Sequence, residues 1–202
     1  KGIYLHGSYA RNEQTKESDI DIVVITDEII TLPKKTNEYE IIALTEKQLK
    51  KSLNYTAPLI LPSIKDAIPI LNQETIQPYK KVSLTKNNTK WYLETTKSSL
   101  ALAKQLLDEN DVEGTMYPLM TRLRGLLMIQ QLLNKKQYYN KLVTNYLSQQ
   151  GMKEEKIKEI IRVYKEVRDD NAISNNTLSM EDGKKLWTIT NACYKTVWEK
   201  LK

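Results

Sequence analysis

The first 85 residues alternate short apolar runs with turn-forming residues, a pattern typical of short β-strands. The run Asp19–Ile25 is the clearest, because β-branched residues fill it and both of its aspartates fall on one face. Pro69 confines the last run to the edge of a sheet, since proline donates no backbone hydrogen bond. The predicted elements are strands over 3–5, 19–25, 38–44 and 67–71, and helices over 45–53 and 57–66.

From about residue 85 onward, apolar residues recur with the helical period. We predict five amphipathic helices whose apolar stripes form the core of a bundle, so their aromatic and methionine residues need no cofactor to explain them. Gly151 should end the third helix, and Ser179 with Asp182 should begin the fifth. Pro118 is expected in the first turn of the second helix, where proline is tolerated.

The change of period predicts two domains: a small α/β (α+β) domain with a mixed sheet over residues 1–85, and an all-α helical bundle over 86–202. The net charge of +6 belongs to the second, because residues 1–85 carry 11 basic and 11 acidic side chains, against 20 and 14 in 86–202. This excess could attract nucleotides, nucleic acid or an acidic partner. We favour solubility as its explanation, because basic and acidic residues are interleaved.

Composition excludes several kinds of site. The chain has one cysteine, Cys193, and one histidine, His6, which excludes an intrachain disulfide, a Cys-based zinc site and a His-rich metal site. No apolar run approaches the roughly 20 residues that cross a bilayer, and no signal peptide is visible. We therefore expect a cytoplasmic protein with no membrane partner.

One segment carries most of the candidate chemistry: Leu5-His6-Gly7-Ser8-Tyr9-Ala10-Arg11, followed by Ser18-Asp19-Ile20-Asp21-Ile22. Gly7 ends the first strand, where the missing side chain lets the backbone turn tightly and approach a ligand. Ser8 offers a hydroxyl and backbone N–H groups to phosphate oxygens, and Arg11 lies one helical turn later, within reach of the same anion. Asp19 and Asp21 then project together beside this turn.

Two carboxylates at this spacing form an oxygen-only site that suits Mg²⁺, whose other ligands are water and substrate phosphates. Phosphoryl and nucleotidyl transfer need positioning and positive charge at the phosphorus oxygens, which two metal ions can supply. A third carboxylate is then expected, as metal ligand or as base for the attacking hydroxyl. Glu40 is the best candidate, because it shares a face with Ile42 and Leu44, where an acid without a cation is unfavourable. Glu38 is the alternative.

The order Gly-Ser, ten residues, Asp-x-Asp resembles the signature of the DNA polymerase beta-like nucleotidyltransferase superfamily. It is most similar to the minimal nucleotidyltransferases and the kanamycin nucleotidyltransferase-like proteins. The resemblance implies a triphosphate held by the Gly-Ser turn with two supporting residues, and two Mg²⁺ ions held by three acids. These residues are Gly7, Ser8, Arg11 and Ser18 for the nucleotide, and Asp19, Asp21 and Glu40 as catalytic and metal-binding residues.

The chain departs from the family pattern in the turn and at the third acid, which is commonly Asp and is Glu40 here. The usual glycine after the Ala-Arg pair is Asn12 here, which loosens the match of the turn without changing the chemistry. The predicted bundle is similar to the helical domains of antibiotic-modifying relatives and to the HEPN bundles that accompany minimal nucleotidyltransferases. Arg168 lacks the following histidine of the HEPN nuclease motif, so we expect no nuclease.

The resemblance implies an Mg²⁺-dependent enzyme that transfers a nucleoside monophosphate, AMP from ATP, to a hydroxyl acceptor and releases pyrophosphate. The acceptor could be a small hydroxylated molecule such as an aminoglycoside, or a tyrosine or serine of a partner protein. RNA ranks last, because no RNA-binding motif is recognisable. The alternative is an antitoxin-like binding module that neutralises or AMPylates a helical, HEPN-type partner.

The remaining polar candidates have simpler explanations. We expect His6 to be packed or hydrogen-bonded, and Cys193 to be a small core residue. Four acids that could reach a substrate from the bundle are expected to be solvated charges at helix ends: Asp111, Glu113, Asp169 and Asp170.

Overall fold

The computed structural model describes residues 1–16, 18–30, 38–173 and 177–202. Its contacts divide the chain into two compact units. The first comprises residues 1–91 together with 131–140, and the second comprises 92–130 together with 141–202.

The first unit is built on a four-stranded mixed sheet. Its strands are β1 (Gly2–His6), β2 (Ile20–Thr26), β3 (Tyr39–Thr45) and β4 (Ile68–Leu71), in the spatial order β3-β2-β1-β4. β1 pairs antiparallel with β2 and β4, and β2 pairs parallel with β3. The four predicted strands are confirmed, and β4 lies at the edge that its proline requires.

Helices cover one face of this sheet. The one-turn helix α1 (Gly7–Ala10) follows β1, and α2 (Glu46–Tyr55) and α3 (Ala57–Asp66) follow β3 as predicted. Thr45 begins α2 with a capping box, in which its side chain accepts from the Gln48 amide and the Gln48 side chain accepts from the Thr45 amide. The apolar core between sheet and helices consists of Tyr4, Val23, Ile25, Leu49, Leu53, Ile60, Leu61, Ile64, Ala67, Ile76 and Tyr79.

A fourth helix of this unit, α4 (Gln73–Lys80), was not predicted. Its eight residues include Pro78 and only two buried side chains, Ile76 and Tyr79. Such a short segment presents too few apolar positions to show the helical period against its neighbours.

The five predicted helices of the second part are present. They are α5 (Lys86–Asp108), α6 (Val112–Leu133), α7 (Leu142–Gln149), α8 (Glu154–Arg168) and α9 (Met180–Lys200). Their apolar stripes are buried, including Leu123, Leu147 and Ile160. The predicted signals at the helix ends are also present: Gly151 follows α7 with φ +75°, and Ser179 and Asp182 form a capping box at α9.

The predicted position of Pro118 is wrong. α6 begins at Val112, so Pro118 lies inside the helix and not in its first turn. Asp111 accounts for the earlier start, because its carboxylate accepts a hydrogen bond of 2.8 Å from the Gly114 amide. Proline at this depth removes one hydrogen bond of the helix, and the buried positions that flank it, Met116 and Leu119, hold the helix by packing.

Within the described residues, none of the helices combines the length and the apolar character that spanning a bilayer requires.

Candidate active site

Gly7 brings the first turn into contact with the second aspartate of the motif. It has φ +70°, in the left-handed region that residues with a Cβ rarely adopt. A Cβ at this position would overlap Oδ2 of Asp21 and lie 2.8 Å from its Cγ. The turn after β1 and the Asp21 carboxylate therefore touch, with no room for a side chain between them.

Strand register brings Asp21 and Glu40 together. β1 pairs His6 with Asp21, and β2 pairs Asp21 with Glu40. Directly paired positions present their side chains on the same face of a sheet. The same face continues into the core through Tyr4 and Val23, which are paired one pleat further along. The Gly7 turn, Asp21 and Glu40 thus lie side by side at one end of the helix-covered face.

Two hydrogen bonds between Thr15 and Ser18 precede Asp19 in the chain. The amide of Thr15 donates to Oγ of Ser18 at 2.9 Å, and the Ser18 amide donates to the Thr15 carbonyl at 3.1 Å. Pairing with β3 begins directly afterwards, since the Ile20 amide donates to the Glu38 carbonyl at 2.8 Å. Asp19 directly precedes β2, and continued strand alternation would put it on the face of Asp21, which stays a prediction. The hydrogen bonds of Ser18 thereby restrain the backbone just before Asp19. The contact of Ser18 with a nucleotide stays a prediction.

Glu40 is exposed, so the expectation that an acid without a cation is unfavourable at this position is wrong. It does share a face with Ile42 and Leu44, and these two side chains pack against the core as expected. The start of β3 lies beyond that packing, however, and Glu38 and Tyr39 are exposed with it. Desolvation therefore gives no argument for a cation at Glu40, and its candidacy depends on the pairing with Asp21.

The carboxylates predicted for this site fit a hard divalent cation whose coordination shell is completed by water and substrate. Among the residues that the structure describes, no cluster of three or more His, Cys, Asp or Glu side chains is arranged to hold a metal. Mg²⁺ needs no such cluster, because it commonly takes one or two carboxylates and fills its shell with water and substrate phosphates. Asp19 and Asp21 would supply those carboxylates, and Glu40 lies next in register.

Arg11 is engaged by protein carboxylates. Its Nε donates to Glu13 at 2.9 Å and its Nη1 donates to Asp66 at 2.6 Å, and the side chain is only 9% exposed. Burial raises the pKa of the Asp66 carboxyl, and the Arg11 guanidinium opposes that shift. The contacts of Arg11 in the structure are those of an internal ion pair, and its role at the nucleotide stays a prediction.

Asn12 explains how the chain tolerates a departure from the family pattern. Its φ is +55°, in the left-handed region. Glycine adopts this conformation most readily, and asparagine is among the few other residues that visit it. The backbone of the turn is therefore compatible with either residue.

His6 is packed, as predicted. Its side chain is among the buried polar ones, with 7% exposure, and Nε2 has no hydrogen-bond partner within the part of the chain that the structure describes. Burial, with a smaller contribution from the Arg11 charge, lowers its pKa to about 4. The imidazole is neutral near pH 7.

The other candidates have structural roles. Cys193 is fully buried, and burial raises the pKa of its thiol to about 12, so it is an unreactive core residue. Asp111 caps α6, and Asp169 pairs with Arg168 at the exposed end of α8. Both aspartates are helix-end charges, as expected.

Comparison with known proteins defines the class of the first part of the chain. Residues 1–87 match the family model of the nucleotidyltransferase domain, and this part of the chain is a nucleotidyltransferase domain, the domain of a class of transferase enzymes. The family resemblance predicted from the Gly-Ser and Asp-x-Asp signature is confirmed.

Individual proteins are also similar to the chain, among them the following two. One, from Methanocaldococcus jannaschii, is named "putative protein adenylyltransferase"; it is 53% identical over 49 residues, which cover 24% of this chain and 48% of that protein. The chain thus matches about half the length of this relative. The other is the crystal structure of a nucleotidyltransferase-like protein from Exiguobacterium sibiricum, 12% identical, with a TM-score of 0.42 over 97% of this chain and 69% of the other.

Proposed function

We propose that this protein transfers AMP from ATP to a hydroxyl group in an Mg²⁺-dependent reaction that releases pyrophosphate. The observation that carries the proposal is the contact of the Gly7 turn with Asp21, together with the pairing of Asp21 and Glu40. A triphosphate held at the turn would lie beside carboxylates suited to its metal ions.

In this reaction the acceptor oxygen forms a bond to the α-phosphorus. The bond from that phosphorus to the bridging oxygen breaks, and pyrophosphate leaves with the electron pair. The hydroxyl proton must pass to a base, for which Glu40 is the candidate because it is exposed and paired in register with Asp21. Asp19 and Asp21 would hold Mg²⁺, which supplies positive charge to the phosphate oxygens when bound.

The acceptor that we propose is a side-chain hydroxyl of a protein. The support comes from the relative named as a protein adenylyltransferase, whose matched segment is 53% identical to this chain. A small hydroxylated acceptor predicts a different product, in which label from ATP is found in a small molecule and not in protein.

The proposal is tested by Asp21→Asn, which removes a charge at nearly constant volume. With Mg²⁺, α-labelled ATP and a protein extract as acceptor, we expect the wild type to label protein and release pyrophosphate. We expect Asp21→Asn to lower that rate by about 100-fold or more, and a chelator to abolish it.

The matched control is Asp108→Asn, the same substitution at an exposed residue near the end of α5. It should leave the rate unchanged. Circular dichroism should show the same helix content in all three proteins. Wild-type rates in Asp21→Asn would overturn the assignment of the site.

A further inference from the structure

Asn140 lies 129 positions from Arg11 in sequence, yet it binds the turn that follows α1. Its Oδ1 accepts from Nη2 of Arg11 at 3.0 Å. Its backbone amide donates to Oε2 of Glu13 at 3.0 Å, and its Nδ2 donates to the Glu13 carbonyl at 3.1 Å. Three polar groups of Asn140 thus bind the two ends of the segment 11–13. All of these residues belong to the first unit.

Tyr138 closes the same cluster. Its ring is buried, and the guanidinium carbon of Arg11 lies 5.3 Å from the ring centroid, within the range of a cation–π contact. Arg11 is therefore held on four sides, by Glu13, Asp66, Asn140 and Tyr138. Such enclosure fixes the side chain in one geometry, because the planar guanidinium can satisfy these partners in only one orientation.

The cluster is connected by hydrogen bonds to the Gly7–Ser8 turn. The Glu13 amide donates to the Ser8 carbonyl at 2.9 Å, and the Arg11 amide lies 3.2 Å from the same carbonyl and 3.3 Å from that of Gly7. Displacement of residues 11–13 would therefore move the turn that touches Asp21. Asn140 restrains both Arg11 and Glu13, whereas the other distant partners, Asp66 and Tyr138, hold Arg11.

Charge supports a positioning role for this cluster over a direct contact with phosphate. The single positive charge of Arg11 faces two carboxylates, those of Glu13 and Asp66. Moving Arg11 to a triphosphate would leave Asp66, whose side chain is 7% exposed, as a buried carboxylate without its cation. That loss is large, so the ion pair should persist when nucleotide binds.

We propose that Asn140 is a positioning residue for the nucleotide: through Arg11 and Glu13 it holds the Gly7–Ser8 turn in the geometry that accepts a triphosphate. The inference rests on the proposed function, and it adds a residue that lies outside the sequence motif. It also assigns Arg11 to the support of the turn.

The test compares Asn140→Ala with Asn145→Ala, the same substitution at an exposed asparagine of α7. The affinity of the full-length protein for Mg²⁺-ATP is measured by calorimetry without acceptor, and the melting temperature is measured in parallel. Loss of the two side-chain hydrogen bonds to the turn should weaken binding about tenfold in Asn140→Ala and leave it unchanged in Asn145→Ala. A purely structural role would lower the melting temperature and leave the affinity of the folded protein unchanged.

The outcomes separate this inference from the proposed function. If the wild type does not bind Mg²⁺-ATP, both are overturned. If the wild type binds and Asn140→Ala binds equally well, only the positioning role is overturned. If Asn140→Ala fails to fold, hydrogen exchange of the wild-type protein tests the positioning role instead. The amides of Glu13 and Asn140 should then gain protection when Mg²⁺-ATP is added. Unchanged exchange would contradict the role.

Discussion

Gly7 is restricted by its backbone and by its surroundings at once. A left-handed φ disfavours any side chain, and Asp21 occupies the space that a Cβ would need. Gly151 has a similar φ of +75°, but a Cβ there would meet no atom closer than Nζ of Lys185, at 4.0 Å. The two glycines therefore separate the effect of backbone conformation from that of the contact.

We expect Gly7→Ala to destabilise the protein more than Gly151→Ala does. Backbone strain should cost about 1 kcal/mol at either position, and displacement of Asp21 should add about 1–2 kcal/mol at Gly7. Urea unfolding measures both values, and nucleotide turnover should be lost only in Gly7→Ala. Equal losses of stability, with turnover retained in both variants, would show that the contact with Asp21 is unimportant.

At the residue scale, the Gly-Ser and Asp-x-Asp motif could be predicted from sequence, whereas the residues that hold Arg11 beside it could not. The contact of Gly7 with Asp21 was predictable because one short segment encodes a turn and an alternating strand, and the position of Asp19 beside them stays a prediction. The face of Glu40 was predicted, but the expected penalty for an acid there was wrong, because alternation specifies a face of the sheet and not where its covering layer ends. Apart from Glu13, the partners of Arg11 come from α3 and from residues 138–140, and no local pattern joins positions so distant in sequence.

At the scale of elements, helix starts were well specified where a capping box occurs. Thr45 and Gln48 exchange hydrogen bonds at α2, with 2.8 Å from the Thr45 amide to Oε1 of Gln48 and 3.2 Å from the Gln48 amide to Oγ1 of Thr45. Both partners lie within four residues of sequence, so this interaction can be predicted from the local sequence alone. α4 lacks such a side-chain cap and was not predicted.

We expect Thr45→Ala to lower the free energy of unfolding by about 1 kcal/mol, because the first amides of α2 lose their side-chain acceptor. Thr45→Ser keeps the hydroxyl and should lose only a few tenths of a kcal/mol. Urea denaturation followed by circular dichroism measures the difference. If the two variants were equally unstable, the lost methyl group and not the cap would be responsible.

At the scale of the whole molecule, the two textures of the sequence correspond to two kinds of core. One lies between a sheet and its helices, and the other lies among helices alone. The period of the apolar residues predicts this, because each core imposes its own spacing. The association of residues 131–140 with the first unit has no such signal, since it includes contacts between positions distant in sequence, such as the packing of Leu132 against the first core and the hydrogen bonds of Asn140.

The stability of the molecule should depend on pH through its single histidine. Burial lowers the pKa of His6 to about 4, below the value near 6.5 of an unfolded chain. The unfolded state therefore binds the proton more tightly, and the stabilisation is complete above about pH 6.5 and is lost as the pH falls toward 4. Asp66 has a raised pKa and acts in the opposite direction, so the wild-type slope combines both groups.

The contribution of His6 is isolated by comparing wild type with His6→Gln in chelator, by urea denaturation at pH 7, 6 and 5. The difference in unfolding free energy between the two proteins should shrink by about 1–2 kcal/mol between pH 7 and 5, part of a total of about 3 kcal/mol. Glu159→Gln is the control: ion pairing with Arg162 lowers the pKa of that carboxyl to about 2, so its contribution is lost only below about pH 4.5. Parallel curves for wild type and His6→Gln would mean that the imidazole is not buried in its neutral form.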